Sequence, residues 1–595
     1  MKKTKVTIRR MLKFELRLCF LNCPFLMTAE ILASIIHGFS FVLVTIMTQK
    51  FFDKASTAIG HHENIEQVII GAIILGVTVI GNHIINGGEN YLWEVNYKKI
   101  CGFSYRKLYQ NVATVPAEEF ENTKFLDNLQ KAISGAEHFT QPLFAVIALS
   151  TFYLAYFLGM SWYIFKINPI LSIAIILVFV PSFIGQFFKI YLYAKLADDS
   201  ASHERKVGYY ENCICGKEFL KETRTLGALP FFQKLYKEEL ELLANKRWKT
   251  NKKAALIGAV VKSITLLGYM GILILFVFEL LHGKITVGVF SALYISIEKL
   301  FSMMDEVIET IGECTENIGL MRNYIQLLDY IEEKRKIEKK AESILINEGI
   351  DLSNVSYRYI DAENKALSNI NLHITAGETV AIIGENGSGK TTLAKVITGL
   401  LNPSSGNILY SGKNISEYDN RSIYSNISIV SQYFQRYKMT LRNNITISSN
   451  KDDDASEIKD FLEHVGVDVN SEKFTEGLDT TLSREFDGID LSGGQWQRIS
   501  IARGLYRDHD LLVLDEPTAA IDPIEESNLF ELFAELLKEK TSIIVTHRLG
   551  CVKLADRIVV MDGGKIIEEG KHDELIIKKG KYYEMYNAQA KWYVW

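Results

Sequence analysis

Six stretches of about twenty or more mostly apolar residues lie in the first 311 residues of this 595-residue chain, and nothing comparable follows them. An α-helix rises 1.5 Å per residue, so about twenty residues cross the roughly 30 Å hydrocarbon core of a bilayer. The stretches are 25–51, 67–93, 144–165, 170–192, 254–281 and 285–311. Lipid offers the backbone no hydrogen-bond partner, so helices are the expected form throughout this half. The overall hydrophobic fraction of 48% conceals the division, because the later residues alternate as an ordinary globular domain does.

Basic residues give the orientation. Lys2, Lys3, Lys5, Arg9 and Arg10 precede the first span, and 98–142 and 194–253 are rich in Lys and Arg. The connections near 53–66, 166–169 and 282–284 are short. An excess of positive charge stays on the cytoplasmic side. A multi-pass protein of the cytoplasmic (plasma) membrane is therefore expected, with both termini and two long loops in the cytoplasm. The basic start resembles a signal peptide, but it lacks a small-residue cleavage site and its apolar run is long enough to span, so a retained first span is expected. A net charge of -5 gives no reason to expect nucleic acid as a partner. None of the seven cysteines forms a C-x-x-C pair, and Cys213-x-Cys215 has no His or second pair beside it. An odd count in a cytoplasmic setting argues against a disulfide framework.

The spans and long loops fall within residues 1–335 and the linker within 336–345, with the charged, solvated run Glu332-Glu333-Lys334-Arg335-Lys336 and Lys339-Lys340 expected to lie outside helix. Residues 346–595 alternate strand-like and helical runs, as an α/β domain with a largely parallel sheet does. Within them an apolar strand at 379–384 feeds Gly384-Glu385-Asn386-Gly387-Ser388-Gly389-Lys390-Thr391 and then a helix beginning with Thr391 and Thr392. This is a P-loop in the context that gives it meaning: glycines let backbone N–H groups face phosphates, and the helix N-terminus adds partial positive charge. Lys390 would reach the β and γ phosphates, and the Thr391 hydroxyl would ligate Mg²⁺. Four apolar residues then lead into Asp515-Glu516-Pro517. Asp515 is placed to hold Mg²⁺, and Glu516 to polarise the attacking water as general base.

About a hundred residues after the P-loop comes Leu491-Ser492-Gly493-Gly494-Gln495. With it, residues 344–590 resemble the ATP-binding cassette, and the whole chain resembles an ABC exporter half-transporter: a six-helix, all-α transmembrane domain followed by an α/β P-loop cassette. The resemblance implies ATP and Mg²⁺ as cofactors. It makes Tyr359 (or, less favoured, Tyr357) the adenine-stacking aromatic, Gln432 the Q-loop glutamine at Mg²⁺ or water, Asp522 the D-loop aspartate and His547 the switch histidine. Ser492, Gly493, Gly494 and Gln495 would cap the γ-phosphate held by the other cassette of a dimer. Two features depart from the family pattern: Trp496 where an Arg is common, and 483–488 where a Thr-Glu-Val-Gly-Glu-like stretch is common.

The resemblance further implies alternating-access export of an amphipathic substrate, whether a peptide natural product, a drug-like compound or a lipid. Membrane lipid and a second copy of the chain would be its partners. A heterodimer, a siderophore-type importer and a merely anchored cassette ATPase are the alternatives. Residues 204–228, and 120–130, would be the loop tips that meet a cassette. Only about two dozen residues precede the first span, so no N-terminal peptidase of the kind some peptide exporters carry is expected. Among ionisable residues in or near spans, Glu30 and Lys262 are expected in water below the bilayer. His37 and Glu298 lie nearer mid-span, where lining a substrate cavity is one of two readings. The aromatic tail, Tyr582, Tyr583, Tyr586, Trp592, Tyr593 and Trp595, is expected to pack on the cassette or to join two cassettes.

Overall fold

The computed structural model describes residues 6–61, 65–335, 340–360, 362–447, 454–517, 523–537 and 540–590. The chain divides into two compact units. One comprises Met1–Ala113 and Asp127–Glu333, the other Thr114–Leu126 and Lys334–Trp595.

The first unit is helical. A short helix α1 (Ile8–Asn22) precedes α2 (Pro24–His61) and α3 (Ile65–Val112). Then come α4 (Thr123–Glu137), α5 (Gln141–Ala148), a π-helical turn at Leu149–Tyr153 and α6 (Leu154–Ile167). The unit ends with α7 (Pro169–Cys215), α8 (Lys217–Thr225), α9 (Leu229–Leu281) and α10 (Val287–Arg335). Among the described residues, six helical segments are long and apolar enough to cross a membrane, matching the six apolar stretches in number and place. Most helices outrun those stretches. The charged run at Glu332–Arg335 is the last turn of α10 rather than a loop, because Met321, Tyr324, Leu328 and Ile331 continue its buried face. Gly38 on α2 is set by close packing: a Cβ there would lie 2.5 Å from the carbonyl oxygen of Phe152.

Several polar side chains of α2 and α3 pair across the two helices. Glu30 is 3% exposed and accepts from Asn96 at 2.5 Å, so it lies in the packed interior and not in water as the sequence suggests. Ser34 donates to Glu89 at 2.5 Å, His37 pairs with the other oxygen of Glu89, and Asn82 donates to Ser40 at 2.6 Å. His37 is buried between the rings of Phe41 and Phe152. Lys262 instead lines a cavity of 1270 Å³ between α7, α9 and α10. All seven cysteines are free thiols.

The second unit carries two sheets. β1 (Ile350–Tyr357), β2 (Leu367–Ile374), β4 (Ser405–Tyr410) and β5 (Lys413–Asn414) form an antiparallel sheet in the order β2-β1-β4-β5. β3 (Thr379–Gly384), β6 (Ile427–Val430), β7 (Leu511–Asp515), β8 (Thr541–Val545), β9 (Arg557–Asp562) and β10 (Lys565–Gly570) form the other, in the order β10-β9-β3-β8-β7-β6. Only β10 runs antiparallel to its neighbour there. β3, β7 and β8 are buried at every position, which is why Val380–Ile383, Leu511–Leu514 and Ile543–Val545 read as apolar runs with polar residues only at the strand ends. Helices α11 (Lys390–Ile397), α12 (Asn420–Tyr424), α13 (Leu441–Thr446), α14 (Ala455–His464) and α15 (Gly493–Tyr506) alternate with the strands. They are followed by α16 (Pro523–Leu536), α17 (Leu549–Val552), α18 (His572–Lys578) and α19 (Lys581–Ala590).

Candidate nucleotide site

In an open parallel sheet, ligands sit outside the carboxyl ends of the strands. There this chain gathers its chemistry. β3 ends in the P-loop, Gln432 lies two residues after β6, Asp515 closes β7 with Glu516 next, and His547 lies two residues after β8. The strands neighbour one another in the order β3-β8-β7-β6, so side chains far apart in sequence meet.

The P-loop is shaped by Gly387 at φ +83° and Gly389 at φ +101°, where a side chain is strained. A Cβ on Gly389 would also lie 2.9 Å from the Ala366 carbonyl oxygen. Lys390 opens α11 and is buried, and its ammonium donates to the carbonyls of Gly384 and Glu385, both at 2.9 Å. Burial pushes its pKa down, while the charges of Glu516 and Asp515 push it back up. The Ser388 hydroxyl is buried with no hydrogen-bond partner among the described residues. Asn386 is exposed at the tip of the loop, and Thr392 is buried with its hydroxyl 3.1 Å from that of Tyr359. Tyr359 is half-buried and packs edge-on against Tyr357, which is wholly buried. Of the two rings, only Tyr359 has a face left to offer.

Thr391 donates to Asp515 at 3.3 Å. Burial, then the charge of Glu516, holds the Asp515 carboxyl above its ordinary value. Glu516 sits at φ +48°, a left-handed conformation that costs a residue with a side chain about 1–3 kcal/mol. Its N–H donates to the Val545 carbonyl at 2.9 Å. Its carboxylate accepts from Gln432 at 2.6 Å through one oxygen and lies 3.0 Å from His547 Nδ1 through the other. One strained acid thus joins three loops.

Among the described residues, no three His, Cys, Asp or Glu side chains gather as a metal cluster would require. Thr391, Asp515 and Gln432 offer a hydroxyl, a carboxylate and an amide oxygen instead. That set fits Mg²⁺, which binds through one or two carboxylates with phosphates and water completing its shell. The unpartnered Ser388 hydroxyl and the raised Asp515 carboxyl fit the arrival of phosphate and cation respectively.

The Leu491–Gln495 pentapeptide forms the start of α15. Ser492 is the N-cap, its hydroxyl accepting from Gln495 N–H at 3.3 Å. The Gln495 side chain accepts in return from Ser492 N–H at 3.1 Å, closing a capping box. Lys473 donates to the same Gln495 oxygen at 2.6 Å. Gly493 and Gly494 fill the first turn, and a Cβ at Gly493 would meet nothing within 4 Å, leaving the helix N-terminus open. Asp522 lies outside the described residues.

Two residues of α15 escape sequence reading. Gln497 is buried and donates to the Pro517 carbonyl, immediately after Glu516. Arg503 donates to the Asn444 backbone at 2.9 Å, to its side chain at 2.7 Å and to the Gln435 carbonyl at 3.2 Å, and stacks 4.7 Å over Tyr437. It fastens the segment after Gln432 to the helix that begins at Ser492. A charge following the buried residues Ile499, Ile501 and Ala502 was the available signal. Trp496, by contrast, is 5% exposed in the apolar core around α14 and α15, so this departure from the family pattern fills space. In the other departure, Glu485 pairs with Lys438 and Arg484 with Asp490 at 3.5 Å.

Segment 114–126 contributes to this unit. Glu121 lies 3.4 Å from Lys395 on α11, and Glu118 accepts from Asn402 at 3.2 Å. At the other end of the chain, Tyr582 is buried against Ile383, Val560 and Leu575, its hydroxyl 2.6 Å from His572. Lys581 pairs with Glu385 of the P-loop at 2.5 Å. Trp592, Tyr593 and Trp595 lie outside the described residues.

Comparison with known proteins agrees with this architecture. Residues 27–303 match the ABC transporter transmembrane region family, and residues 367–519 match the ABC transporter family. The chain is 30% identical over 485 residues to the subtilin transport ATP-binding protein SpaT of Bacillus subtilis, covering 79% of this chain and 77% of that one. It is 36% identical over 314 residues to the nisin transport ATP-binding protein NisT of Lactococcus lactis, 52% of each chain. An ATP-dependent lipid A-core flippase of Idiomarina loihiensis is 30% identical over 358 residues, 60% of each. A bacterial Atm1-family ABC exporter with ATP bound shares the fold, with a TM-score of 0.75 at 20% identity over 95% of this chain and 98% of that one. This multi-pass membrane chain therefore belongs to the ABC transporters, as an ATP-binding transport ATPase fused to its own transmembrane region.

Proposed function

We propose that the chain exports an amphipathic substrate, whether a peptide natural product, a drug-like compound or a lipid, across the cytoplasmic membrane as a homodimer. The carrying observation is that Glu516 is held between Gln432 and His547 beside the P-loop, on the chain that also bears the six spans. In this reading Tyr359 stacks on adenine and the P-loop residues from Gly384 to Thr392 hold the phosphates. Thr391, Asp515 and Gln432 hold Mg²⁺, which neutralises phosphate charge. Glu516 takes the proton of the attacking water, and His547 steadies the γ-phosphate. Ser492, Gly493, Gly494 and Gln495 close on the nucleotide of the second copy, with Asp522 at the same junction. ATP draws two cassettes together and hydrolysis releases them, alternating the access of the membrane halves.

The homodimer is favoured because one sequence supplies both the hydrolytic set and the signature. The cavity between α7, α9 and α10 mixes Lys189, Lys262 and Glu309 with Val261 and Ile308, as an amphipathic substrate requires. Both termini and the cassette lie in the cytoplasm by the distribution of Lys and Arg. The test is ATP turnover by this chain alone in lipid nanodiscs, titrated with modified peptides, drugs and lipids. Turnover stimulated by one class supports the reading and narrows the substrate. No turnover sinks the homodimer, and inward movement in sealed vesicles sinks export.

A further inference from the structure

Where α1 turns into α2, a groove of 520 Å³ opens against α3. Pro24 and Phe25 form one side, and Lys98, Lys99, Gly102 and Arg106 of α3 form the other. We infer that this groove holds one anionic phospholipid of the cytoplasmic leaflet, its phosphate on Lys99 and Arg106 and its acyl chains along Phe25.

The helix that leads into the groove has the pattern of an interfacial helix. Arg9, Lys13 and Arg17 recur every four residues and are exposed, so they share one face of α1. Met11, Glu15 and Cys19 are buried on another face. Leu21 and Phe25, at the turn, are 71% and 81% exposed. Large apolar side chains beside a basic face suit the headgroup boundary and not open water. On α3, Trp93 and Tyr97 stack at 5.3 Å where the apolar stretch ends. Aromatic pairs of this kind favour the membrane–water interface, so the basic residues that follow begin at headgroup level.

Charge selects the lipid. Lys98 is paired with Glu94 at 2.9 Å, the acid nearest along this face. Among the described residues Lys99 and Arg106 make no ion pair, and Arg106 rests 5.9 Å from the ring of Phe103. Two unneutralised cations beside an exposed Phe25 match a lipid that carries both a phosphate and a net negative charge. A zwitterionic lipid brings its own cation into that field. Gly102 forms the floor: a Cβ there would meet nothing within 4 Å, so the space above it is open. Glycine inside a helix costs about 0.5–1 kcal/mol relative to alanine, and no close packing among the described residues accounts for this one.

The inference rests on the cytoplasmic placement of the loops proposed above, but its test does not involve transport. The full chain in detergent micelles would be titrated with phosphatidylglycerol and with phosphatidylcholine of the same acyl chains, and bound lipid counted by native mass spectrometry. The expected result is one tightly retained phosphatidylglycerol per chain, held in preference to phosphatidylcholine. A Lys99→Ala/Arg106→Ala variant should bind it about 30-fold more weakly, each charge near an anionic headgroup being worth about fivefold. Gly102→Leu keeps both charges and blocks the groove, and should weaken binding comparably. ATP affinity in both variants reports folding and should stay unchanged. Equal retention of the two lipids, or wild-type phosphatidylglycerol binding in both variants, would overturn the inference.

Discussion

Replacing Glu516 by Gln separates charge from shape at the centre of the site. The side chain keeps its length, its left-handed backbone and both neighbours, because an amide can accept from Gln432 with its oxygen and donate to a neutral His547 Nδ1 with its nitrogen. At most one hydrogen bond weakens, about 0.5–1.5 kcal/mol in net terms, so the melting temperature should move little. ATP affinity should persist, since Lys390 and the P-loop backbone are untouched. What is lost is the carboxylate as proton acceptor. A general base contributes about 10²–10⁴-fold, or about 2.7–5.4 kcal/mol of barrier. Steady-state phosphate release from the full chain in nanodiscs should fall by that factor, with ATP-bound dimers accumulating in cross-linking. Turnover within tenfold of wild type, with melting and ATP binding normal, would refute the assignment. Glu516→Gly supplies a second arm. It relieves the φ +48° strain, about 1–3 kcal/mol, while losing the bonds to Gln432 and His547. Its stability should therefore stay near that of wild type while its turnover falls as far as that of Glu516→Gln.

Three further outcomes can be checked on the same preparation. Burial and the charge of Glu516 hold Asp515 above its ordinary value, so the folded chain binds that proton more readily than the unfolded chain does. The cost is absent below the unfolded carboxylate range and complete once pH exceeds the folded value. Asp515→Asn should therefore raise the nucleotide-free melting temperature at neutral pH, with the gain fading on acidification. It should also erase the extra stabilisation that Mg²⁺ adds to ATP. Ser492→Ala removes the N-cap of α15 at about 1 kcal/mol, and its turnover should drop with little change in nucleotide affinity, because the signature would serve the other copy's ATP. Arg503→Ala leaves the oxygens of Asn444 and Gln435 without their donor and should destabilise the chain by about 2–3 kcal/mol in denaturant unfolding, with Arg503→Lys recovering part of it.

How far the sequence speaks depends on whether a feature is local. The six spans were legible because lipid imposes a continuous apolar run. The P-loop strand was legible because β3 is covered on both faces and Val380–Ile383 run without a polar break. The helix ends were not legible by the same measure, since hydropathy reports the bilayer and not the helix. α10 runs to Arg335 on a buried stripe that no span requires. Pairings were illegible for a different reason. Glu30 reads as a residue for water until Asn96, 66 positions later, is brought against it by the pairing of α2 and α3. In the same way, motif spacing nominates Gln432, Glu516 and His547 but cannot put them in contact. Their meeting depends on β8 lying between β3 and β7, with β6 outside, an order the chain does not follow in sequence. Gln497 and Arg503 show the cost of reading a motif as if it ended at its last recognisable letter. The signature helix reaches back by one of them to the residue after Glu516 and by the other to the segment after Gln432. Movement of α15, proposed above to close on a second copy's nucleotide, would therefore be felt on both sides of the acid proposed as general base.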